Sequence, residues 1–198
     1  MRPLVYIASN NPHKQKELQR ILTAFEIRLP AAGGYEFSHD EKGKTFLENA
    51  YGKARALYAL VKQPVLADDS GLCVDCLNGK PGIYSARFGS VDPGKPLNDH
   101  ERNRYLLSRL RGCTRRSAFF VCCMVLMLDD NRFFTAQETL RGEIASSPHG
   151  EGGFGYDPLF FLPAYDCTVA QLSAEQKDAV SHRGKAARAI AAAARDLI

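Results

Sequence analysis

The sequence predicts a mixed α/β sheet flanked by helices, and three observations carry that prediction. An apolar run of strand length leads directly into a capped helix near the amino end, and a second such run stands at Val65-Leu66-Ala67. Later, two long β-patterned segments are joined by a tight acidic turn. Strand-helix units early in a chain and a hairpin late in it argue for one sheet containing both kinds of connection.

The first run is Leu4-Val5-Tyr6-Ile7-Ala8, after which Asn11-Pro12 supplies a helix N-cap with proline at the first helical position. Leu18, Ile21, Leu22 and Phe25 then fall on one helical stripe. Between strand and helix, Ser9, Asn10, Asn11, Pro12, His13 and Lys14 form a polar loop at the positive end of a helix dipole, suited to an anion. The loop lacks the glycines of a Walker A loop, so an ordinary β-α turn with a surface lysine is the plainer alternative.

Glu26 to Leu29 alternates as a short strand, and Pro30 to Gly43 is a glycine-rich polar loop ending in His39-Asp40-Glu41-Lys42-Gly43. Thr45-Phe46-Leu47-Glu48 reads as a capping box opening a helix. Leu47, Ala50, Tyr51, Ala54, Leu57, Tyr58 and Val61 form its stripe, which stops before Pro64. Lys53 lies about 60° from Ala50 on the helical wheel, at the edge of the buried face. It either snorkels or points at a phosphate.

After Val65-Leu66-Ala67 come the adjacent carboxylates Asp68 and Asp69, then Ser70 and the turn glycine Gly71. Read as the end of a strand, this puts both acids at the sheet edge where ligands of open α/β proteins bind, able to hold a hard cation. Asp-Asp-Ser-Gly is also ordinary turn chemistry. Leu72 to Leu77 reads as a further strand, with Cys73 and Cys76 directed to opposite faces and unable to share a metal. Asn78 to Gly82 is a turn, and Arg87 in the segment after it is a candidate anion ligand.

Ser90 to Leu97 is a proline and glycine loop, and Asp99 to Leu110 is a helix burying Leu106, Leu107 and Leu110. Arg116 to Leu128, Arg132 to Leu140 and Glu143 to Ala145 read as antiparallel strands, the first two joined by Asp129-Asp130-Asn131. Gly150 to Asp157 places four glycines and two aromatics in eight residues. Glycines admit a ligand close to the backbone, and Phe154 among them can stack on a planar base. Phe160-Phe161-Leu162 is a short strand, Ser173 to Gln176 a second capping box, and Ser181-His182-Arg183-Gly184 opens an alanine-rich terminal helix. A histidine and an arginine in a first turn oppose the dipole preference, which a bound negative or carbonyl group explains.

With 198 residues the chain holds a substantial core, as one large domain or two lobes sharing a sheet. Apolar residues at 45% and charged residues at 24% are ordinary for a globular protein. A net charge of +4 and a pI near 8.7 favour small anionic ligands and are too slight for non-specific nucleic-acid binding. The longest apolar run, Ala118 to Leu128, is about half of a membrane span, and the amino terminus lacks a signal-peptide pattern. A cytoplasmic protein without membrane contact is expected. The six cysteines are too sparse for a disulfide framework, so reduced thiols are expected too.

Together these segments resemble the inosine/xanthosine triphosphate pyrophosphatase family, the Ham1 or house-cleaning nucleotide hydrolases. The resemblance rests on Ser9-Asn10-Asn11 with Lys14, Thr45 to Ala50 with Lys53, Ala67 to Leu72, Pro81 to Arg87, Gly152 to Pro158 and Ser181 to Ala186, in family order over almost the whole chain. The first loop departs from the commoner Thr-Gly-Asn form. The resemblance implies a single domain, 1–198, of two lobes: a long mixed sheet with flanking helices around a central nucleotide cleft, usually as a homodimer. It implies hydrolysis of deaminated purine nucleoside triphosphates (ITP, dITP, XTP, dXTP) to the monophosphate and pyrophosphate.

On that resemblance Mg²⁺ is the expected cofactor, held by Asp69 and Asp68 with Glu41 from the facing loop. Asp69 is expected to take the proton from the attacking water, with Asp68 and Lys53 completing the catalytic set. Lys14, Lys53 and Arg87 would neutralise the triphosphate, with the Ser9 to His13 loop and Ser70 beside it. For the base, Phe154 would stack, Gly155, Tyr156 and Asp157 would line the loop, and His182 and Arg183 would offer donors to a 6-oxo group, with Lys177 nearby. Two other readings stand beside this one: a nucleotide-sensing or RNA-binding module that does not cleave, and a pyrophosphatase for modified pyrimidine nucleotides.

Overall fold

The computed structural model describes residues 2–92 and 95–195; Pro93 and Gly94, within the loop expected at Ser90 to Leu97, lie outside the described residues. A seven-stranded sheet runs through the chain in the order β2-β1-β3-β4-β5-β6-β7. These strands are β1 (Leu4–Ile7), β2 (Glu26–Arg28), β3 (Val65–Val74), β4 (Ser117–Met127), β5 (Phe133–Ile144), β6 (Phe160–Leu162) and β7 (Cys167–Thr168). The helices are α1 (Pro12–Ile21), α2 (Phe46–Val61), α3 (Asp99–Arg109), α4 (Ala174–Val180) and α5 (His182–Ala193). β1 pairs parallel with β2 and β3, while β6 pairs antiparallel with β5 and β7, so the sheet is mixed as expected.

The chain divides into two compact units. The first comprises Met1–Asp69, Cys122–Glu138 and Asp178–Ile198, and the second Ser70–Val121 and Thr139–Lys177. In the first unit β3 separates two cores. Leu66 packs with Leu18 of α1 and with Ala186, Ala187 and Ile190 of α5. Its neighbours Val65 and Ala67 pack on the other side with Ala50, Ala54, Leu57 and Val61 of α2. This alternation is the period of two that any strand imposes. Each fully buried leucine or isoleucine in such a core contributes about 1.5–3 kcal/mol by leaving water.

Local signals set the helix starts. Asn11 caps α1 by accepting the His13 N–H, with Pro12 at the first helical position. Thr45 caps α2 through the Glu48 N–H, and Ser173 with Gln176 forms a reciprocal box ahead of α4. Ser181 caps α5 through the Gly184 N–H, and a side chain at Gly184 would run into the Asp178 carbonyl.

Several sequence expectations are corrected. The Asp68 to Gly71 segment is not a turn; β3 continues through it to Val74. Strand geometry is permitted there because both acids find cations. Arg132 to Leu140 and Glu143 to Ala145 are not separate strands but one, β5, within which Gly142 leaves room for the Phe161 carbonyl and the Phe160 ring. Leu47 is 44% exposed, outside the buried stripe of α2. Cys76 lies beyond β3 in a 3-10 turn, Asp75–Leu77, and is joined to Cys113 by a disulfide with a Cα–Cα distance of 6.4 Å. The expectation that all thiols are reduced therefore fails, and Cys73, Cys122, Cys123 and Cys167 take no part in a disulfide. Two cysteines 37 positions apart carry no local signal that they meet. No helix among the described residues is long and apolar enough to cross a membrane.

Candidate active site

Because β3 continues through them, Asp68 and Asp69 emerge on opposite faces of the sheet. Asp68 extends the Leu66 side, toward α1 and α5. Its Oδ1 accepts from Lys14 Nζ at 3.0 Å and its Oδ2 from Arg183 Nη2 at 3.1 Å. Arg183 Nη1 in turn donates to Glu17 Oε2 at 2.8 Å. The result is a buried chain of alternating charge, Lys14, Asp68, Arg183 and Glu17. Burial by itself would raise the Asp68 carboxyl, but Lys14, Arg183 and Lys53 outweigh it and hold it well below the usual carboxylate range. Burial opposes charge on Arg183 as well, and Asp68 and Glu17 more than restore it.

Asp69 extends the Val65 and Ala67 side, toward α2. It accepts from Lys53 Nζ at 3.3 Å and from Asn49 Nδ2 at 3.1 Å. Lys53 Nζ also donates to Glu41 Oε1 at 2.7 Å, so one ammonium gathers two carboxylates. Burial raises the Asp69 carboxyl above its ordinary value, with Glu41 and Asp68 adding to the effect and Lys53 and Asn49 opposing it. For Lys53, burial disfavours the charge, and the carboxylates of Asp69, Asp68 and Glu41 override it. Asn49 Oδ1 accepts the Gly43 N–H at 2.8 Å, which ties the Glu41 loop to α2. Beside it lies an open polar hollow of about 500 Å³ lined by Ser38, His39, Asp40, Lys42, Gly43, Glu48 and Asn49.

At the other end of the first unit's site, Ser9 accepts the Asn11 N–H and Asn10 donates to the Phe37 carbonyl. Pro12, His13 and Lys14 form the first turn of α1, and Lys14 is tied to Asp68 of β3. His182 and Arg183 are both buried in the first turn of α5.

In the second unit, the loop expected to hold a base is organised around Asp157. Its Oδ2 accepts from the Phe154 N–H at 2.9 Å and from Lys177 Nζ at 2.8 Å. Lys177 Nζ stands 4.8 Å from the centroid of the Phe154 ring, a cation-π contact. Gly153 has φ of 72°, and a Cβ there would collide with the Asp157 carboxylate. Tyr156 donates its hydroxyl to the Ser85 carbonyl at 2.9 Å, and Gly155 is held by Asp99 and Asn103 of α3. Ser70 lies in β3, and the Arg87 guanidinium sits 4.9 Å from the Tyr84 ring centroid.

Two members of this set, Asp68 and Arg183, meet each other on the side of β3 that faces α1 and α5. Asp69 and Glu41 converge on Lys53, while Asp68 faces α1 and α5. The physical reason is the strand period, since neighbours in a strand cannot share a face. Arg183, expected as a base donor, turns three nitrogens to acids, Nε and Nη2 to Asp68 and Nη1 to Glu17. The sequence reading missed Glu17, Asn49, Asp99 and Asn103. Glu17 and Asn49 had a signal, for each is a polar residue beside an apolar position on the buried stripe of its helix.

The chain matches the Ham1 family over residues 5–193. A dITP/XTP pyrophosphatase of Treponema denticola is 53% identical over 182 residues, covering 92% of this chain and 93% of that protein. Another dITP/XTP pyrophosphatase, from Nitrosomonas europaea, is 43% identical over 185 residues, with 92% and 89% covered. Among solved structures, the Staphylococcus aureus Ham1 protein has a TM-score of 0.85 at 39% identity, with 98% of each chain covered. A HAM1 protein from Coxiella burnetii has a TM-score of 0.86 at 35% identity, covering 98% of this chain and 99% of that one.

Proposed function

This chain belongs to the Ham1 family, and on that premise we propose that it hydrolyses deaminated purine nucleoside triphosphates, ITP, dITP, XTP and dXTP, to the monophosphate and pyrophosphate. The observation that carries the proposal is the convergence of Asp69 and Glu41 on Lys53 in the face of β3 covered by α2. A module built only to bind phosphate would not turn carboxylates to its ligand, because unmetallated acids repel phosphate.

The fit to a hard cation follows from the same geometry. Two carboxylates already share one positive centre, and Mg²⁺ takes one or two carboxylates together with substrate phosphates. Asp69 and Glu41 would hold Mg²⁺, which when bound supplies positive charge to the phosphate oxygens and acidifies a water. Asp68 would not take part, since its oxygens belong to Lys14 and Arg183. Asp69, raised by burial, is the group we assign to receive the proton of the attacking water. Lys53 keeps its charge in the buried site and would neutralise the phosphates, and Lys14, at the positive end of α1, would add positive charge for the pyrophosphate that leaves.

For the base, the Phe154 ring offers a stacking surface, and Lys177 with backbone amides of the Phe154 to Asp157 loop offers donors to a 6-oxo group. Donor facing donor would then penalise a 6-amino base by about 1–3 kcal/mol per buried group. The homodimer and the cytoplasm complete the proposal on the strength of the motif resemblance, and sedimentation tests the first.

A panel of nucleoside triphosphates with Mg²⁺, scored for pyrophosphate against orthophosphate, tests the function. Release of one pyrophosphate per ITP or XTP, stopped by EDTA, is the expected result. Orthophosphate as first product, or full activity in chelator, overturns it.

A further inference from the structure

We propose that Asp99 and Asn103, one turn apart on α3, are positioning residues for base selection, gripping both backbone groups of Gly155 and fixing the orientation of the Gly155-Tyr156 peptide. The inference rests on the reading of the Phe154 to Asp157 loop as the base loop. Asp99 Oδ2 accepts the Gly155 N–H at 2.6 Å, and Asn103 Nδ2 donates to the Gly155 carbonyl at 3.0 Å. Arg102, between them on the same helical face, stands 5.8 Å from the Tyr156 ring centroid. Three residues spaced i, i+3 and i+4 thus address two consecutive loop residues.

Gly155 needs such a grip. Its φ is 65°, in the left-handed region, and a Cβ built on it would meet nothing within 4 Å, so no neighbour packs against that side of the residue. Glycine is the most conformationally permissive backbone unit available. Two hydrogen bonds from one rigid helix remove that freedom. The state of Asn103 points the same way. It is 4% exposed, and its Oδ1 has no hydrogen-bond partner among the described residues. An unsatisfied buried oxygen is a cost that an apolar side chain would avoid, so what the position returns for it is the single donor to Gly155.

The chemical consequence follows from peptide planarity. In a trans peptide the C=O and the next N–H point in opposite directions. With the Gly155 carbonyl pinned by Asn103, the Tyr156 N–H is directed away from α3 as a fixed donor, and Tyr156 is separately anchored through its hydroxyl to Ser85. A donor there suits a 6-oxo base. A flipped peptide would present a carbonyl acceptor instead and suit a 6-amino base. The clamp on Gly155 therefore holds the peptide in the orientation that selects ITP over ATP.

The test compares kcat and KM for ITP and ATP in the wild type, Asn103→Leu and Asp99→Asn. Asn103→Leu should lower kcat/KM for ITP by about tenfold, chiefly through KM, and narrow its ratio to ATP. Asp99→Asn keeps an acceptor oxygen and should retain most of the ratio. Independently of any variant, the Gly155 amide of the wild type should exchange slowly with solvent deuterium. A selective wild type with an equally selective Asn103→Leu, an equal fall for both nucleotides, or a freely exchanging Gly155 amide overturns the clamp. A wild type with no preference for ITP overturns the base-loop reading beneath it, and the clamp with it.

Discussion

Asp68 and Asp69 are adjacent in sequence and back to back in the sheet, the first held by Lys14 and Arg183, the second by Lys53 and Asn49. One peptide bond separates a buried structural charge from the acid assigned to the chemistry.

Their substitutions should therefore separate. Asp69→Asn should leave the fold intact, lower kcat by on the order of 10² and raise the Mg²⁺ concentration giving half-maximal rate. Asp68→Asn, which strips a carboxylate from two cations, should cost about 3–5 kcal/mol of stability while the Mg²⁺ midpoint stays put. Metal titrations and urea melts of both proteins check this. A shifted Mg²⁺ midpoint in Asp68→Asn would return Asp68 to the metal set.

Acid should unfold the protein partly through Asp68. Its folded carboxyl is held below the usual range, so its stabilising contribution is complete above the unfolded value of about 3.9 and drains away as pH falls below it. Urea midpoints at pH 6 and pH 3 should differ less in Asp68→Asn than in the wild type. Equal differences would mean that other carboxylates carry the acid sensitivity.

Arg183→Ala should lower kcat/KM for ITP and ATP by the same factor and cost about 3–5 kcal/mol, because it leaves Asp68 and Glu17 buried without their shared cation. Glu17→Gln should do the same more mildly. Selective loss of ITP activity in Arg183→Ala would restore it to base recognition.

Thiol counting checks the cysteines. Unfolded, unreduced protein should present four thiols and reduced protein six, given the Cys76–Cys113 bond. In the native state near pH 7.5 only Cys167 should react with a disulfide reagent such as DTNB, since Cys73 and Cys122 are buried and burial, with Asp69 and Asp68 adding, pushes the Cys123 thiol up to about 11. Opening the 37-residue loop with Cys76→Ser and Cys113→Ser should cost about 2–4 kcal/mol.

What the sequence determined by itself is what depends on neighbours in the chain. The Asn11-Pro12 start of α1, the Thr45 cap, the Ser173 and Gln176 box and the Ser181 cap each involve groups two to four residues apart, so residue types in order are enough to specify them. The acidic pair, Lys53 and the Phe154 loop were also visible, because charge and glycine clusters stand out from any core pattern. The facing of Asp68 and Asp69 was implicit in the strand period and was lost once Asp-Asp-Ser-Gly was read as a turn. Tertiary structure alone decided which partner each group takes: Arg183 reaches Asp68 across 115 residues, Asp99 and Asn103 reach Gly155 across 56 and 52, and Cys76 meets Cys113. A buried charge or amide must find a partner somewhere, but which one it finds is set by how the strands and helices pack, and no local pattern in the chain encodes that choice.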